Sequence, residues 1–125
     1  MAVFDTRVLE HIRTKDIIGV RSGKHRLRFT GIWMVEVEGR IFARSYSLSE
    51  RSWYSTFLAE KEGSIRCGKL VTAVHGVKPR DLSALTPSIN AAYEKKYANR
   101  PHNKKWVDGL NQPARIAKTM EFIPT

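Results

Sequence analysis

One stretch, residues 26–46, constrains the fold of this chain more than any other. Apolar and acidic side chains alternate from Val35 to Glu38, Gly39 follows, and a second β-rich run from Ile41 to Tyr46 completes it. A period of two around a short glycine-containing segment is typical of an antiparallel hairpin with a two-residue turn. The sequence therefore predicts at least one antiparallel pair of strands, and it argues against an all-helical fold.

A two-residue turn at that point fixes which residues of the hairpin face each other. Val35 is expected opposite Phe42, and Trp33 is expected opposite Arg44 on the same side of the sheet. Trp33 and Arg44 are therefore candidates for one shared site.

The rest of the chain predicts further short strands and three main helices, with a short helical piece near 103–110. Consecutive strands are joined mostly by short turns, so a parallel sheet of alternating strands and helices is not expected. We expect a mainly β fold: a small antiparallel barrel or sheet with flanking helices, in one domain covering 1–125. The predicted strands lie at 17–22, within 26–37, and at 41–46, 65–67, 70–77 and 115–123, and the predicted helices lie at 5–14, between 49 and 63, and at 86–98.

Composition narrows the class of protein. The single cysteine, Cys67, excludes an internal disulfide framework and a zinc site built from several cysteines. No apolar run approaches the roughly 18 residues that a membrane span needs, and the first residues lack the pattern of a signal peptide. We expect a soluble, cytoplasmic protein with no membrane partner.

The net charge is the unusual feature of the composition. Twenty-two Lys and Arg residues against twelve Asp and Glu residues give a formal charge of +10. A basic surface attracts nucleic acid, acidic membranes or phosphorylated small molecules. The charge alone does not choose among these partners.

The sequence contains no self-sufficient catalytic motif. It has no nucleophile elbow, no phosphate-binding glycine loop, no carboxylate pair and no histidines at metal-ligand spacing. No catalytic residue and no metal ligand are therefore assigned. If the protein is an enzyme, a cofactor is expected to carry the chemistry.

Residues 44–53 form the most suggestive segment, since a strand end, a hydroxyl-rich turn and a helix start follow one another. Backbone N–H groups, hydroxyls and two arginines could bind a phosphate there, beside the flat side chains of Trp33 and Trp53. In the other interpretation, Ser49 caps the helix, Trp53 belongs to the core and Arg51 is solvated. Both interpretations stay open from the residues alone.

The order of motifs resembles a small bacterial family of uncharacterised proteins that is grouped with the FMN-binding split-barrel proteins. That group lies near the deazaflavin-dependent nitroreductases and, more distantly, pyridoxamine phosphate oxidase. The resemblance covers about residues 5–124. The motifs that carry it are Phe29-Thr30-Gly31-Ile32-Trp33-Met34-Val35, Glu38-Gly39-Arg40-Ile41-Phe42-Ala43-Arg44-Ser45, Arg51-Ser52-Trp53-Tyr54, Gly63-Ser64-Ile65-Arg66-Cys67-Gly68, Ala92-Tyr93-Glu94-Lys95-Lys96-Tyr97 and Thr119-Met120-Glu121-Phe122-Ile123-Pro124.

The resemblance implies an antiparallel six-stranded split β-barrel of the FMN-binding type, often a homodimer. It implies a phosphate-bearing flavin, FMN or a deazaflavin, and a flavin-dependent reductase reaction on an unknown substrate is the activity that it allows. Basic and hydroxyl side chains would hold the phosphate, and a Trp-Tyr pair would lie beside the cofactor. The cofactor-binding residues expected on this basis are Arg26, Arg28, Trp33, Arg44, Ser45, Arg51, Trp53 and Tyr54.

The chain departs from the nitroreductase pattern around Trp53 and Tyr54. Serine, glutamate and arginine precede this pair where those relatives have prolines, and the asparagine that follows it in them is absent. FMN, a deazaflavin, another ligand or no cofactor at all therefore stay open. Two alternatives remain: a non-catalytic basic barrel that binds nucleic acid, and a split-barrel relative that has lost its cofactor.

Overall fold

The computed structural model describes residues 3–23 and 27–125. Among these residues, no helix is both long enough and apolar enough to cross a membrane. In chain order, the elements are α1 (Thr6–Thr14), β1 (Ile18–Ser22), β2 (Thr30–Ile32), β3 (Val35–Val37), β4 (Arg40–Arg44), α2 (Trp53–Glu60), β5 (Glu62–Cys67), β6 (Leu70–Val77), α3 (Leu82–Tyr97), a short 3-10 helix (Pro101–Asn103), α4 (Lys104–Leu110), α5 (Pro113–Ile116) and β7 (Thr119–Pro124).

All the strands described belong to one antiparallel sheet, which curls into a half-barrel with helices packed against it. The strand order is β2-β1-β5-β6-β7-β4-β3. The two edge strands, β2 and β3, are consecutive in the chain and are joined only by Trp33 and Met34. The predicted class, a mainly antiparallel β fold with flanking helices, is confirmed. The predicted number of six strands is wrong, because the described residues form seven.

The extra strand arises because the predicted first strand of the hairpin is divided in two. The pairing of Val35 with Phe42 is confirmed, but the ladder between β3 and β4 ends there, so Trp33 and Arg44 do not face each other in it. The preceding segment, β2, pairs with β1 instead. The bend at Trp33 therefore separates two short strands that belong to opposite edges of the sheet.

Two tyrosines of α3 explain why the hairpin opens at this bend. The hydroxyl of Tyr97 accepts a hydrogen bond of 3.0 Å from the N–H of Met34, and the hydroxyl of Tyr93 accepts one of 2.9 Å from the N–H of Arg44. Both backbone donors are buried and must be satisfied. Because side chains from a distant helix satisfy them, these donors need no partner across the hairpin.

The hairpin turn itself is as predicted. Glu38 and Gly39 both have positive φ angles, 52° and 83°. Positive φ at both central residues is the geometry of a type I′ turn, which matches the twist of antiparallel strands. This turn sets the register that brings Val35 opposite Phe42.

The helix α3 begins earlier than the sequence pattern indicates. It starts at Leu82, and Thr86 lies inside it, where its hydroxyl donates to the carbonyl of Leu82 rather than capping a new helix. Pro87 is also internal and exposed. Because the carbonyl that proline leaves unpaired can be hydrated at the surface, the helix continues through it.

The buried residues form two clusters, one on each side of the sheet region around β4. The first packs α1 and α2 against one face of the sheet, with Tyr54, Phe57 and Phe122 among its large side chains. The second packs α3 and α4 against β3 and β4, with Tyr93 and Tyr97 at its centre. The end of β4 lies between the two clusters, and this is where the candidate site is found.

Candidate functional site

A cavity of about 460 Å³ lies where β4 ends. The bend between β2 and β3, the loop after β4, the start of α2 and the helix α4 surround it. Its lining is more apolar than polar. The lining residues are Ile17, Gly31, Ile32, Trp33, Arg44, Ser45, Tyr46, Ser47, Ser52, Trp53, Asn103, Trp106 and Leu110.

Arg44 is the only arginine or lysine among the described residues of this lining, and only 3% of its surface is exposed. Its Nε donates to the hydroxyl of Thr119 at 3.0 Å. Its Nη1 donates to the carbonyl of Leu110 at 3.2 Å and to the side-chain oxygen of Asn111 at 2.8 Å. The guanidinium therefore ties β4 to β7 and to the end of α4 through neutral acceptors.

Among the residues that the structure describes, none supplies a counter-charge to Arg44. Among the described residues, no carboxylate lies within ion-pair distance of it, and its buried Nη2 has no hydrogen-bond partner. Burial lowers the pKa of this guanidinium below its ordinary value, although the neighbouring Tyr93 acts in the opposite direction. A cation that is buried and unpaired in this way is a favourable neighbour for an anion.

Tryptophans supply the flat walls of the cavity. Trp33 stacks on Tyr97 with ring centroids 4.2 Å apart and planes inclined by only 6°. Trp53 stacks on Phe122 at 5.9 Å, which connects it to the core. Both indoles are half-buried and line the cavity. Each is therefore held in place on one side by a buried aromatic ring.

The rim of the cavity is formed by a second aromatic pair. Tyr46 and Trp106 meet edge to face at 5.2 Å, and each is 42% exposed. Arg115 lies over the ring of Tyr46 at 3.9 Å, and Lys105 lies over that of Trp106 at 4.9 Å. These cation–π contacts add positive charge near the opening.

Serine hydroxyls surround the end of the cavity near the start of α2. Ser45 is buried and donates to the carbonyl of Ser47 at 2.7 Å. Ser52 caps α2 by accepting a hydrogen bond from the N–H of Ser55. The cap at Ser52, rather than at Ser49, brings the first turn of α2 to the cavity wall.

Four of the eight predicted cofactor-binding residues come together in this lining: Trp33, Arg44, Ser45 and Trp53. Of the other four, three do not line the cavity: Arg28, Arg51 and Tyr54. Arg28 and Arg51 are exposed, Tyr54 is buried with its hydroxyl 3.4 Å from the carbonyl of Ala117, and Arg26 lies outside the described residues.

The sequence reasoning missed the contribution of α4 to the cavity. Asn103, Trp106 and Leu110 come from a segment that is more than fifty residues away from β4 in the chain and carries no recognisable motif. The one signal that could have pointed to them is Trp106 itself, a large aromatic residue directly after two lysines.

Other reactive groups lie away from this cavity. Burial raises the pKa of the Cys67 thiol to about 11, although nearby Lys96 acts in the opposite direction, so the thiolate is scarce at neutral pH. No group of three or more histidine, cysteine or carboxylate side chains among the described residues could hold a metal ion. The features that this cavity offers to a ligand are the buried charge of Arg44 and the flat faces of Trp33 and Trp53.

Comparison with known proteins identifies a family. The family model described as "Uncharacterized protein conserved in bacteria (DUF2255)" matches residues 8–121, which is nearly the whole chain. The matched region includes every residue that lines the cavity. No curated protein matches the chain.

Proposed function

The chain belongs to this uncharacterised bacterial family, and we propose that its cavity binds a phosphate-bearing flavin such as FMN. One observation carries the proposal: Arg44 is a buried cation without a carboxylate partner among the described residues, and it lines an aromatic cavity. Burying an uncompensated charge costs free energy, so a bound anion would stabilise this arrangement. The resemblance to FMN-binding split-barrel proteins supports a flavin among the phosphate-bearing ligands.

The size and lining of the cavity support a ligand with a planar ring. Its volume of about 460 Å³ lies within the range of roughly 300–1,000 Å³ that is usual for small-molecule sites. Trp33 and Trp53 line it, and aromatic side chains pack favourably against flat heterocycles. We therefore assign these two tryptophans to the flavin ring and Arg44 to the phosphate.

Serines near Arg44 would complete the phosphate end of the site. Ser45, Ser47 and Ser52 line the cavity. The hydroxyl of Ser47 can donate to a phosphate oxygen, whereas the hydroxyls of Ser45 and Ser52 donate to Ser47 and Ser55 and would first have to rotate. The first backbone N–H groups of α2 follow Ser52 directly. Because Nη2 of Arg44 is covered by protein atoms, the guanidinium would attract the phosphate mainly through its charge, and direct contact would need a small shift of a neighbour.

A reductase reaction is the activity that we propose for the loaded site. The flavin would supply hydride transfer, while the protein binds the flavin, orients it and shields its ring from water. Trp33 and Trp53 would provide the shielding. We assign no catalytic residue, because the described residues that line the cavity include no histidine, cysteine or carboxylate.

A flavin titration of the purified protein tests this proposal. FMN and riboflavin share one ring system, but only FMN carries a phosphate. A hydrogen bond to a charged group contributes roughly 1.5–3 kcal/mol, so FMN should bind at least about tenfold more tightly than riboflavin. Quenching of flavin fluorescence gives both dissociation constants. Equal affinities for the two flavins would refute the phosphate role of Arg44, and no binding of either would refute the flavin assignment.

Two variants distinguish the effect of Arg44 on flavin binding from the effect of the general positive charge of the surface. Arg44→Ala should weaken the binding of FMN much more than that of riboflavin, which has no phosphate to meet the charge. Arg51→Ala removes an exposed arginine outside the cavity lining and should leave both affinities unchanged. Circular dichroism checks that Arg44→Ala is folded, since this residue also ties β4 to β7. The comparison of the two flavins in the wild type needs no variant.

A further inference from the structure

One face of the sheet presents its side chains to solvent over β1, β5 and β6. Side chains alternate along these strands, and those on the other face join the first cluster under α1 and α2. The register of the strands places the remaining side chains together, and most of them are exposed. The residues of this open face are Arg21, Ser64, Arg66, Val71, Ala73 and Ile123.

Two arginines of the open face lie over one aromatic ring. The guanidinium carbons of Arg21 and Arg66 are 4.3 and 4.6 Å from the ring centroid of Phe29. Phe29 can lie against β1 because Gly19 has no side chain there, since a Cβ at Gly19 would be 3.1 Å from that of Phe29. The ring therefore holds two cations near each other at one end of the open face.

Among the described residues, neither guanidinium is within ion-pair distance of a carboxylate. The carboxylate of Glu62, at the other end of β5, lies 3.7 Å from the imidazole of His75. Because Arg21 and Arg66 lie over the same ring, their charges are at most about 9 Å apart, which is less than the Debye length of about 10 Å, and they repel each other. A bound anion would relieve this repulsion.

The position of the arginines over Phe29 suits a phosphate as that anion. A guanidinium is planar and carries five N–H donors along its edge. When its face lies on an aromatic ring, the edge remains available to a phosphate, which can accept two parallel hydrogen bonds. Arg28 and Lys69, which are exposed and lie close in the chain to Phe29 and Arg66, would add to the attraction.

Apolar side chains continue the open face beside the two arginines. Val71 is paired with Arg66 across β5 and β6 and is 48% exposed, and Ile123 of β7 is 39% exposed. Ala73 follows Val71 on the same side of β6 and is also exposed. Covering these side chains with a flat apolar group would remove them from water and is therefore favourable. Unpaired nucleic-acid bases are flat groups of this kind, and each is joined to a phosphate.

We propose that the open face binds single-stranded nucleic acid, with phosphates on Arg21 and Arg66 and bases on the apolar side chains of β6 and β7. A duplex fits this face less well, because its bases are paired and stacked and cannot cover Val71 and Ile123. A second copy of the chain also fits less well, because a two-fold interface here would bury the unpaired arginines of both copies.

This site is separate from the flavin cavity. No residue of the open face lines that cavity, so the proposal does not depend on flavin binding. The nucleic-acid site also uses a part of the formal charge of +10 for which the cavity, with Arg44 as its cation among the described residues, has no role.

Fluorescence anisotropy of labelled oligothymidylate and oligouridylate, each about a dozen nucleotides long, tests the proposal on the wild-type protein. The protein should bind at least one of them, and the affinity should fall as sodium chloride rises from about 50 to 200 mM, because phosphate contacts release counterions. Saturating FMN should leave the affinity unchanged. Binding of neither strand at 50 mM salt would overturn the proposal, and so would displacement by FMN, which would place the strand in the cavity.

Two variants distinguish phosphate contacts from base contacts. Arg66→Ala should weaken binding at least about threefold and reduce the slope of log affinity against log salt concentration by roughly 0.7. Val71→Ser should weaken binding about two- to fivefold without changing this slope. Arg51→Ala is the matched control, because it removes an exposed arginine outside the open face and should leave the affinity nearly unchanged. All three residues are exposed, so the variants should fold.

Three results would overturn the proposal even if the wild type binds oligonucleotides. Equal losses in Arg51→Ala and Arg66→Ala would mean that general surface charge explains the binding. Unchanged binding by Val71→Ser, or tighter binding of a duplex of the same length at 200 mM salt, would exclude contacts with unpaired bases. A dimer in analytical ultracentrifugation that Val71→Asp converts into a monomer would assign the open face to a second copy of the chain.

Discussion

Replacing Tyr97 with Phe removes one hydroxyl that holds the bend between β2 and β3. This hydroxyl accepts from the N–H of Met34 at 3.0 Å and donates to the carbonyl of Asp16 at 2.6 Å or to that of Met34 at 3.2 Å. A phenol has one proton, so it makes one of these two donations at a time. Burial raises the pKa of Tyr97 above its ordinary value, which keeps this proton in place at neutral pH.

The expected loss of stability follows from the backbone N–H group that Tyr97→Phe leaves without a hydrogen-bond partner. Met34 is fully buried, so its N–H would have no partner. An unsatisfied buried donor costs about 1–3 kcal/mol, and the lost donation costs about 0.5–1.5 kcal/mol, so the free energy of unfolding should fall by ~1.5–4.5 kcal/mol. The stacking of the ring on Trp33 needs no hydroxyl, so it should survive the change.

Urea unfolding followed by circular dichroism measures this loss. The slope against urea concentration should stay constant while the midpoint falls. Tyr46→Phe is the matched control, since Tyr46 is 42% exposed and an exposed substitution of this kind changes stability by no more than about 0.5 kcal/mol. If Tyr97→Phe also changed stability by less than about 0.5 kcal/mol, the hydroxyl would not hold the bend.

Three other substitutions or measurements test separate features of the structure. A Cβ at Gly76 would lie 2.6 Å from the sulfur of Met120 and 2.8 Å from a ring carbon of Phe57, so Gly76→Ala should cost about 1–3 kcal/mol in urea unfolding; an unchanged midpoint would contradict this. Burial raises the pKa of Cys67 to about 11, so a thiol-specific reagent at pH 8 should react much more slowly with native than with urea-unfolded protein, and equal rates would argue against a buried thiol. A side-chain hydrogen bond from a neighbouring arginine lowers the pKa of Asp5 from 3.8 to about 2, so its stabilising contribution is present above about pH 4 and is lost as the pH falls towards 2. The difference in Tm between wild type and Asp5→Asn should therefore shrink over that range, and a constant difference would count against the hydrogen bond.

Local patterns predicted the parts of the fold that depend on neighbouring residues. Alternation and a glycine-containing turn were enough to align Val35 with Phe42, because register in a hairpin follows from the turn. The break before Val35 could not be predicted in this way, since it depends on Tyr93 and Tyr97 from a helix about sixty residues away. The start of α3 was missed because Pro87 is tolerated at an exposed face of the helix.

The candidate site, too, could be predicted only for residues that lie close together in the chain. Arg44, Ser45 and Trp53 follow one another closely in the chain, so the sequence could bring them together. Trp106 reaches the same cavity only through the packing of α4, which no local pattern specifies. The lack of a carboxylate near Arg44 among the described residues was also not predictable, because it depends on which groups surround the guanidinium in the fold.

The location of β7 has a consequence for synthesis of the chain on the ribosome. This strand pairs with β4 on one side and with β6 on the other, yet it is translated after both of them. Until it emerges, β4 and β6 each present an edge with unpaired backbone groups, and such edges are prone to pair with other chains. A nascent chain that has not yet reached Thr119 is therefore expected to depend on chaperones, and a product terminated before this residue should aggregate rather than fold.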